Sequence, residues 1–467
     1  MIRLSLAEVS SAIGGRISGD ENVLVTGSAE TDSRLVGPGS LFFAKPGEVT
    51  DGHRFVGAAA HAGAVAAVVE HLVESVEIPQ IVVADVVEAL GLLATEVLRR
   101  VRAERNLRVV GITGSNGKTT TKNMLREILS GVGPTVAPIE SYNNEVGAPI
   151  SMLKVDESTE YLVVELGAGG IGSIGYLAKM CKPDVAVELK VGLAHAGEWG
   201  GIETTAKIKG ELIENMSDSG VAILNADDGY VREMAKRAPG QTVFFGTSAD
   251  ADYQAAAIDI SLAGTAFDLT VGDGAPRRVT LKILGEHHVY NALASIAAAE
   301  ALGVSREHAI DAIEAMPLAE RWRMQLFERA DGVAIFNDAY NASPDSTKAA
   351  LQTLALLGRR EGRRTIAVLG EMAELGEFSA EQHDAIGRIV VRLNIDQLIV
   401  VGAGAKLVHM GASQEGSWDG ESKYFDAIEP ALEHLREMLT SGDIVLVKSS
   451  KSANLRHLGD ALAGVEA

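Results

Sequence analysis

The sequence predicts an α/β protein of three domains, and three observations carry that expectation. The chain has 467 residues, which domains of about 150 residues would divide into three. Hydrophobic residues make up 46% and aromatic ones only 4%. Cores of Ala, Val, Leu and Ile are therefore expected, as in glycine-rich α/β enzymes and unlike disordered chains. Short apolar runs ending in polar or glycine residues also alternate with amphipathic stretches in two successive series, the pattern of mostly parallel sheets covered by helices.

In chain order, residues 1–103 mix short strands ("VLVTGSAE", "SLFFAK", "AVAAVVE", "QIVVA") with Ala-rich helical stretches. This reads as an N-terminal α/β domain. Residues 104–317 open with "NLRVVGITGSNGKTTTKNMLREIL": a buried-type strand, a Gly-rich turn and a helix with Met124, Leu125 and Leu129 on one side. "EYLVVELGA", "PDVAVELKVG" and "GVAILNADD" continue the series. Together they predict a central, mostly parallel sheet whose ligands gather at the carboxyl ends of its strands. Residues 318–467 restart the alternation with "GVAIFNDAY", "TIAVLGE", "QLIVVGAG" and "DIVLVKSS", four strands of a Rossmann-like, doubly wound domain.

Bulk properties narrow the function. A net charge of −21 opposes bulk attraction to nucleic acid or anionic membrane. A small anion is still admissible, because salt screens exposed charges within about 8 Å and a local cation can dominate. The longest apolar stretch, "VGAAAHAGAVAAVVEHLV", is interrupted by His61 and His71 and falls short of a membrane span. The single cysteine, Cys181, fits a reducing compartment. With no apolar signal stretch in "MIRLSLAEVSSAIGG", a cytoplasmic protein is expected.

"GITGSNGKTTTK", Gly111 to Lys122, nearly spells the phosphate loop G-x-x-x-x-G-K-[ST], but Ile112 stands where the first glycine belongs. Gly114 and Gly117 still supply the conformations such a turn demands, and a helix N-terminus follows. Gly114, Ser115, Asn116, Gly117, Lys118, Thr119 and Thr120 are therefore expected to hold a nucleotide. Lys118 brings the cation, and Thr119 a hydroxyl for magnesium. Glu165, at the end of the next strand, is placed to ligate that metal. Read alone, His195 is a loop histidine, and Lys207 and Lys209 are solvated helix lysines. Spaced two apart, the two lysines point to different faces, so at most one faces the site.

"TGSNGKTTTK", "VVELGA", "VGLAHAGEWGGIETTAKIKGEL" and "LNADD" resemble the ATP-dependent Mur ligases of peptidoglycan synthesis, in whose phosphate loop Ile112 is expected. "TDSRLVGPGSLFFAKPGEVTDGHRF" is similar to the family's N-terminal UDP-binding domain. "SYNNEVGAP", "RWRMQLFERADGVAIFNDAYNASPDSTKAAL", "VLGEMAELGEFSAEQH" and "VLVKSSKS" resemble the member that adds D-alanyl-D-alanine to UDP-N-acetylmuramoyl-tripeptide. The resemblance implies ATP, two magnesium ions, a phosphorylated carboxylate and a monomeric enzyme. It implies Lys118, Glu165, His195 and Lys209 as catalytic, with Thr119, Glu165, His195 and a carbamylated Lys209 on the metals; Lys207 is the alternative modified lysine.

The same resemblance implies Asn291, Arg321 and Asp338 for the nucleoside. Ser33 and Arg34 would meet the uridine diphosphate, and Asn143 and Asn144 the middle of the muramoyl substrate. Tyr340, Asn341, Lys448, Ser450 and Lys451 would serve substrate binding in the last domain. Leu189-Lys190, Ser141, His288, Ser449 and Lys451 depart from the family pattern; a lysine for an arginine at 451 keeps charge but loses the planar fork. Two other readings stay open: another amide-forming ligase of this fold, such as a glutamate-adding folate ligase, and a nucleotide-binding regulator without chemistry.

Overall fold

Three sheets organise the chain. The computed structural model describes residues 1–47, 50–138, 141–192, 200–316, 321–415 and 421–465. The N-terminal sheet orders Arg16–Ser18, Gln80–Val82, Ala64–Val69, Ser40–Phe43 and Ala29–Glu30, parallel except for its first strand. In the C-terminal sheet the order is Gln325–Glu328, Ala334–Asn337, Ile444–Lys448, Thr365–Leu369, Gln397–Val401 and Glu421–Phe425. Only the Gln325–Glu328 edge is antiparallel there. The four strands expected in this domain are all present, and two edge strands join them.

Between these lies a nine-stranded sheet with the phosphate-loop strand, Arg108–Thr113, third from one edge. Tyr161–Glu165 and Val185–Glu188 flank that strand, both parallel to it. Side chains alternate between two cores: Val109, Leu162, Val164 and Ala186 pack on one face, and Val110, Ile112, Val163 and Val187 on the other. A sheet covered on both faces reads as unbroken apolar runs, which is why these strands are legible in the sequence. The far edge differs from expectation. Tyr253–Ser261, Gly264–Val271 and Arg277–Leu281 form an antiparallel meander, joined by short turns that leave no room for a crossover helix.

Ile112 is fully buried, in register with Glu165 on one side and Val187 on the other. It completes the strand, and the turn starts two residues later at Gly114, whose φ is +147°. The helix Lys118–Ser130 begins at Gly117 (φ +89°) and buries Met124, Leu125, Ile128 and Leu129. Restoring the textual glycine should therefore damage the protein. Ile112→Gly is expected to lower stability by about 3–5 kcal/mol through the cavity and the freed backbone, read as a shift in the urea unfolding midpoint.

Candidate nucleotide and metal site

The loop is held open by its own backbone. Ser115 N–H donates to the carbonyl of Lys190 at 2.7 Å, and Ser115 Oγ accepts from Gly192 N–H at 2.7 Å. Lys118 Nζ donates to the Gly114 carbonyl at 2.7 Å. Burial lowers the Lys118 pKa, Glu165 opposes the shift, and Arg323 adds to it. At Gly117 a Cβ would stand 2.3 Å from Asn291 Oδ1, so glycine here lets Asn291 approach the loop.

Below the loop lies a set of hard oxygen donors. Thr119 Oγ1 is 3.1 Å from Glu165 Oε2, to which it donates. With its one proton committed, it accepts from Arg323 Nη2 at 3.2 Å and from Ser141 Oγ at 3.0 Å. Asn143 Nδ2 donates to the other Glu165 oxygen at 2.9 Å. A hydroxyl and a carboxylate beside a phosphate loop are the donor types magnesium takes, so these residues fit the ion the resemblance implies.

Of the two candidate lysines, Lys209 is buried and Lys207 exposed on the helix Ile202–Glu214. Burial pushes the Lys209 amine down to about 7, with Lys118 adding to the shift and Glu188 opposing it. Glu188 is a site residue that the sequence reading passed over. It is fully buried, neither oxygen has a hydrogen-bond partner among the described residues, and burial raises its carboxyl to about 8 against the pull of Lys209. The signal was available: "AVELKV" ends its strand in Val-Glu-Leu, as "VVELGA" does at Glu165. His195 lies outside the described residues.

The last domain closes over the loop. Ser343 Oγ lies 3.3 Å from Asn116 Oδ1, to which it donates. Two cavities open along this seam. One, of about 360 Å³, is lined by Asn116, Gly117, Asn225, Tyr290, Asn291 and Leu356 among others. The second, of about 320 Å³, includes Lys118, Thr119, Thr120, Glu165, Tyr340 and Asn341 in its lining.

His287 borders both cavities. Burial lowers its ring to about 4; Asp338 opposes this, while Lys448 and Lys190 add to it. His288, equally desolvated, is held well below the usual range.

Several expected site residues have partners within the protein. Arg321 reaches away from the loop, pairing with Asp460 at 3.2 Å and stacking on Trp322 at 4.7 Å; its near neighbour Arg323 is the one on Thr119. Asp338 is occupied by Lys448, whose ammonium donates at 2.6 Å. Asp338 and Lys448 line the second cavity.

Ser450 is buried, accepting from Ala373 N–H at 2.8 Å, while exposed Lys451 sits 5.8 Å from the Tyr340 ring. Asn144 caps the helix Gly147–Met152 through Gly147 N–H at 2.8 Å, unlike its neighbour Asn143. Ser33 and Arg34 lie on the N-terminal domain. Arg34 forks onto Asp32 at 2.9 and 2.5 Å, and that hydrogen-bonded pairing lowers Asp32 to about 2.

Family models cover most of the chain. The Mur ligase family catalytic domain matches residues 28–97, the Mur ligase middle domain residues 112–299, and the Mur ligase glutamate ligase domain residues 322–451. The chain is 39% identical to the UDP-N-acetylmuramoyl-tripeptide–D-alanyl-D-alanine ligase of Mycobacterium tuberculosis, covering 99% of this chain and 98% of that protein. The chain belongs to the Mur ligase family. The Bacillus subtilis ligase of the same name is 32% identical over 98% of each chain.

Among solved structures, MurF from Acinetobacter baumannii superposes on this Mur ligase with a TM-score of 0.89 at 31% identity, covering 99% of both chains. MurF from Thermotoga maritima in complex with ADP gives a TM-score of 0.81 at 28% identity, over 94% of this chain and 98% of that one. The Mur ligase is thus a three-domain α/β protein of the fold seen in those structures.

Two expected outcomes follow from this geometry. Arg323→Ala should lower ATP-dependent phosphate release about 100-fold or more, the scale of losing a charge-stabilising donor, whereas Arg321→Ala should change it less than about threefold. Comparing both rates with the two melting curves separates chemistry from folding. For the histidines, above pH 6.5 both the folded and unfolded rings are neutral; below it the unfolded chain takes up protons that the folded one refuses. Stability of the ligand-free chain should therefore fall as pH drops from 6.5 toward 4, by up to about 1.4 kcal/mol per pH unit for each ring. Urea midpoints of wild type and His287→Gln across that window should converge toward acid pH.

Proposed function

We propose that this Mur ligase joins D-alanyl-D-alanine to UDP-N-acetylmuramoyl-tripeptide with conversion of ATP to ADP and phosphate, as a cytoplasmic enzyme of peptidoglycan precursor synthesis. The observation that carries the reading is a phosphate loop whose Lys118 and Thr119 face a cavity walled by Arg323 of the last domain, in a chain similar over its full length to ligases of that name. Among the described residues no helix is long and apolar enough to cross a membrane.

Residues 1–103 would bind the uridine diphosphate end, through Ser33 and Arg34. Residues 104–317 would hold ATP. Residues 318–467 would bring the dipeptide, near Tyr340, Asn341 and Lys451.

The chemistry requires that a carboxylate, which resists nucleophiles, acquire a good leaving group. ATP phosphorylates the tripeptide's terminal carboxylate, and the dipeptide amine then attacks the acyl phosphate through a tetrahedral intermediate. Two anions must meet for the first step, so positive charge has to be placed between them before they arrive. Lys118 enters from the central domain and Arg323 from the last. Asn116 and Ser343 hold the seam, which excludes water from an intermediate that water would hydrolyse.

Asn291 and the larger cavity suit the nucleoside, with Asn225 and Tyr290 as further polar walls. Magnesium, held by Thr119, Glu165, His195 and carbamylated Lys209, would offset phosphate charge. Lys209 suits that modification: at a pKa near 7 a large share of its amine is neutral, the form that captures carbon dioxide.

The test is acceptor dependence. Phosphate release should require UDP-N-acetylmuramoyl-tripeptide and D-alanyl-D-alanine together, assayed with both the lysine and the diaminopimelate tripeptide, and Lys209→Ala should abolish it. Release with a single amino acid would point to a different ligase of this fold. Full activity in Lys209→Ala would remove the modified lysine from the reaction.

A further inference from the structure

Glu188 is a buried carboxyl that the roles assigned so far leave without a use. Its strand is the immediate neighbour of the loop strand, with Glu188 in register with Thr113. Glu165 ends the strand on the opposite side, in register with Ile112. Two carboxylates thus finish the strands on either side of the phosphate loop. Glu165 accepts one hydrogen bond on each oxygen, from Thr119 and Asn143, while among the described residues neither oxygen of Glu188 has a donor.

A carboxylate offers about four acceptor positions, and withdrawing one from water with none of them filled is strongly unfavourable. The charges that act on it are Lys209, Asp228, Lys118 and Arg237. With Lys209 unmodified, opposite charge relieves part of the burden. Carbamylation, as the functional reading has it, reverses that relief and sets a second anion against Glu188. A divalent cation resolves the conflict, because hard cations are held by several carboxylate-type oxygens at once.

We infer that Glu188 is a magnesium ligand of this enzyme, a second strand-end carboxylate acting with modified Lys209. It stands outside the set Thr119, Glu165, His195 and Lys209 that the family resemblance implies. This inference rests on the proposed function for the modification of Lys209, but its measurement uses neither muramoyl substrate nor acceptor dipeptide. Failure of the ligation assay would leave it readable.

Full-length wild type and Glu188→Gln would be titrated with Mn2+ by electron paramagnetic resonance, with a non-hydrolysable ATP analogue and bicarbonate present. Wild type is expected to bind two ions; in the variant one should weaken at least tenfold while the other is retained. Glutamine is neutral and nearly isosteric, so the metal-free variant should melt at or above the wild-type temperature, whereas loss of a purely structural carboxylate would lower it. Equal Mn2+ affinities and stoichiometry in the two proteins would overturn the inference, as would a lower melting point with both ions lost together. If the variant does not fold, iron(II)–ascorbate cleavage of wild type decides. Backbone scission beside Glu188 is expected, and scission confined to the neighbourhood of Glu165 would overturn it.

Discussion

The hydroxyl of Thr119 is the point on which the two halves of the site depend. One proton and two lone pairs join three segments: it donates to Glu165 and accepts from Ser141 and from Arg323. The first two partners belong to the central sheet and its loops; the third arrives from the last domain. Arg323 is delivered by an unusual turn. Trp322 and Met324, on either side of it, both have positive φ, +59° and +48°, a conformation that costs non-glycine residues about 1–3 kcal/mol each.

The surroundings hold that turn in place. Trp322 N–H donates to Gln325 at 3.0 Å, Met324 N–H to Asp338 at 3.0 Å, and the Trp322 indole to buried Asp460 at 2.9 Å. Arg323 is therefore fixed to the body of the last domain, and any rotation of that domain carries the guanidinium with it. Domain closure and assembly of the phosphate site become one event, which is how a site split between domains commits its substrates.

Reading the sequence recovered whatever is written locally. The buried parallel strands are apolar throughout, and the turn glycines stand where the backbone requires left-handed geometry. The spacing of Lys207 and Lys209 forced them apart on the helix, and the structure puts Lys209 inside and Lys207 in solvent. What escaped depends on long-range arrangement. Arg321 and Arg323 flank one tryptophan, and only the strained turn decides which of them meets a loop more than two hundred residues away. Asp338 and Lys448, both read as ligand contacts, also pair with one another across 110 residues, which no local pattern announces. The antiparallel meander was missed because its strands interleave polar and apolar residues and lack the unbroken apolar run of the buried parallel strands.

The same logic explains how the buried acid–base groups stay in register. Glu211, two residues beyond Lys209, accepts Gly172 N–H at 2.6 Å and Gly175 N–H at 2.9 Å, capping the helix Ser173–Cys181. That helix is reached from Glu165 through the short loop that follows its strand. Lys209 and Glu165 are consequently joined by a closed path of covalent backbone and two charge-assisted hydrogen bonds, the stronger class of such bonds. A loop of that kind leaves little freedom for the helix of Lys209 to drift from the strand of Glu165. Glu211 thus contributes by geometry, holding that helix against the strand through the two hydrogen bonds it accepts.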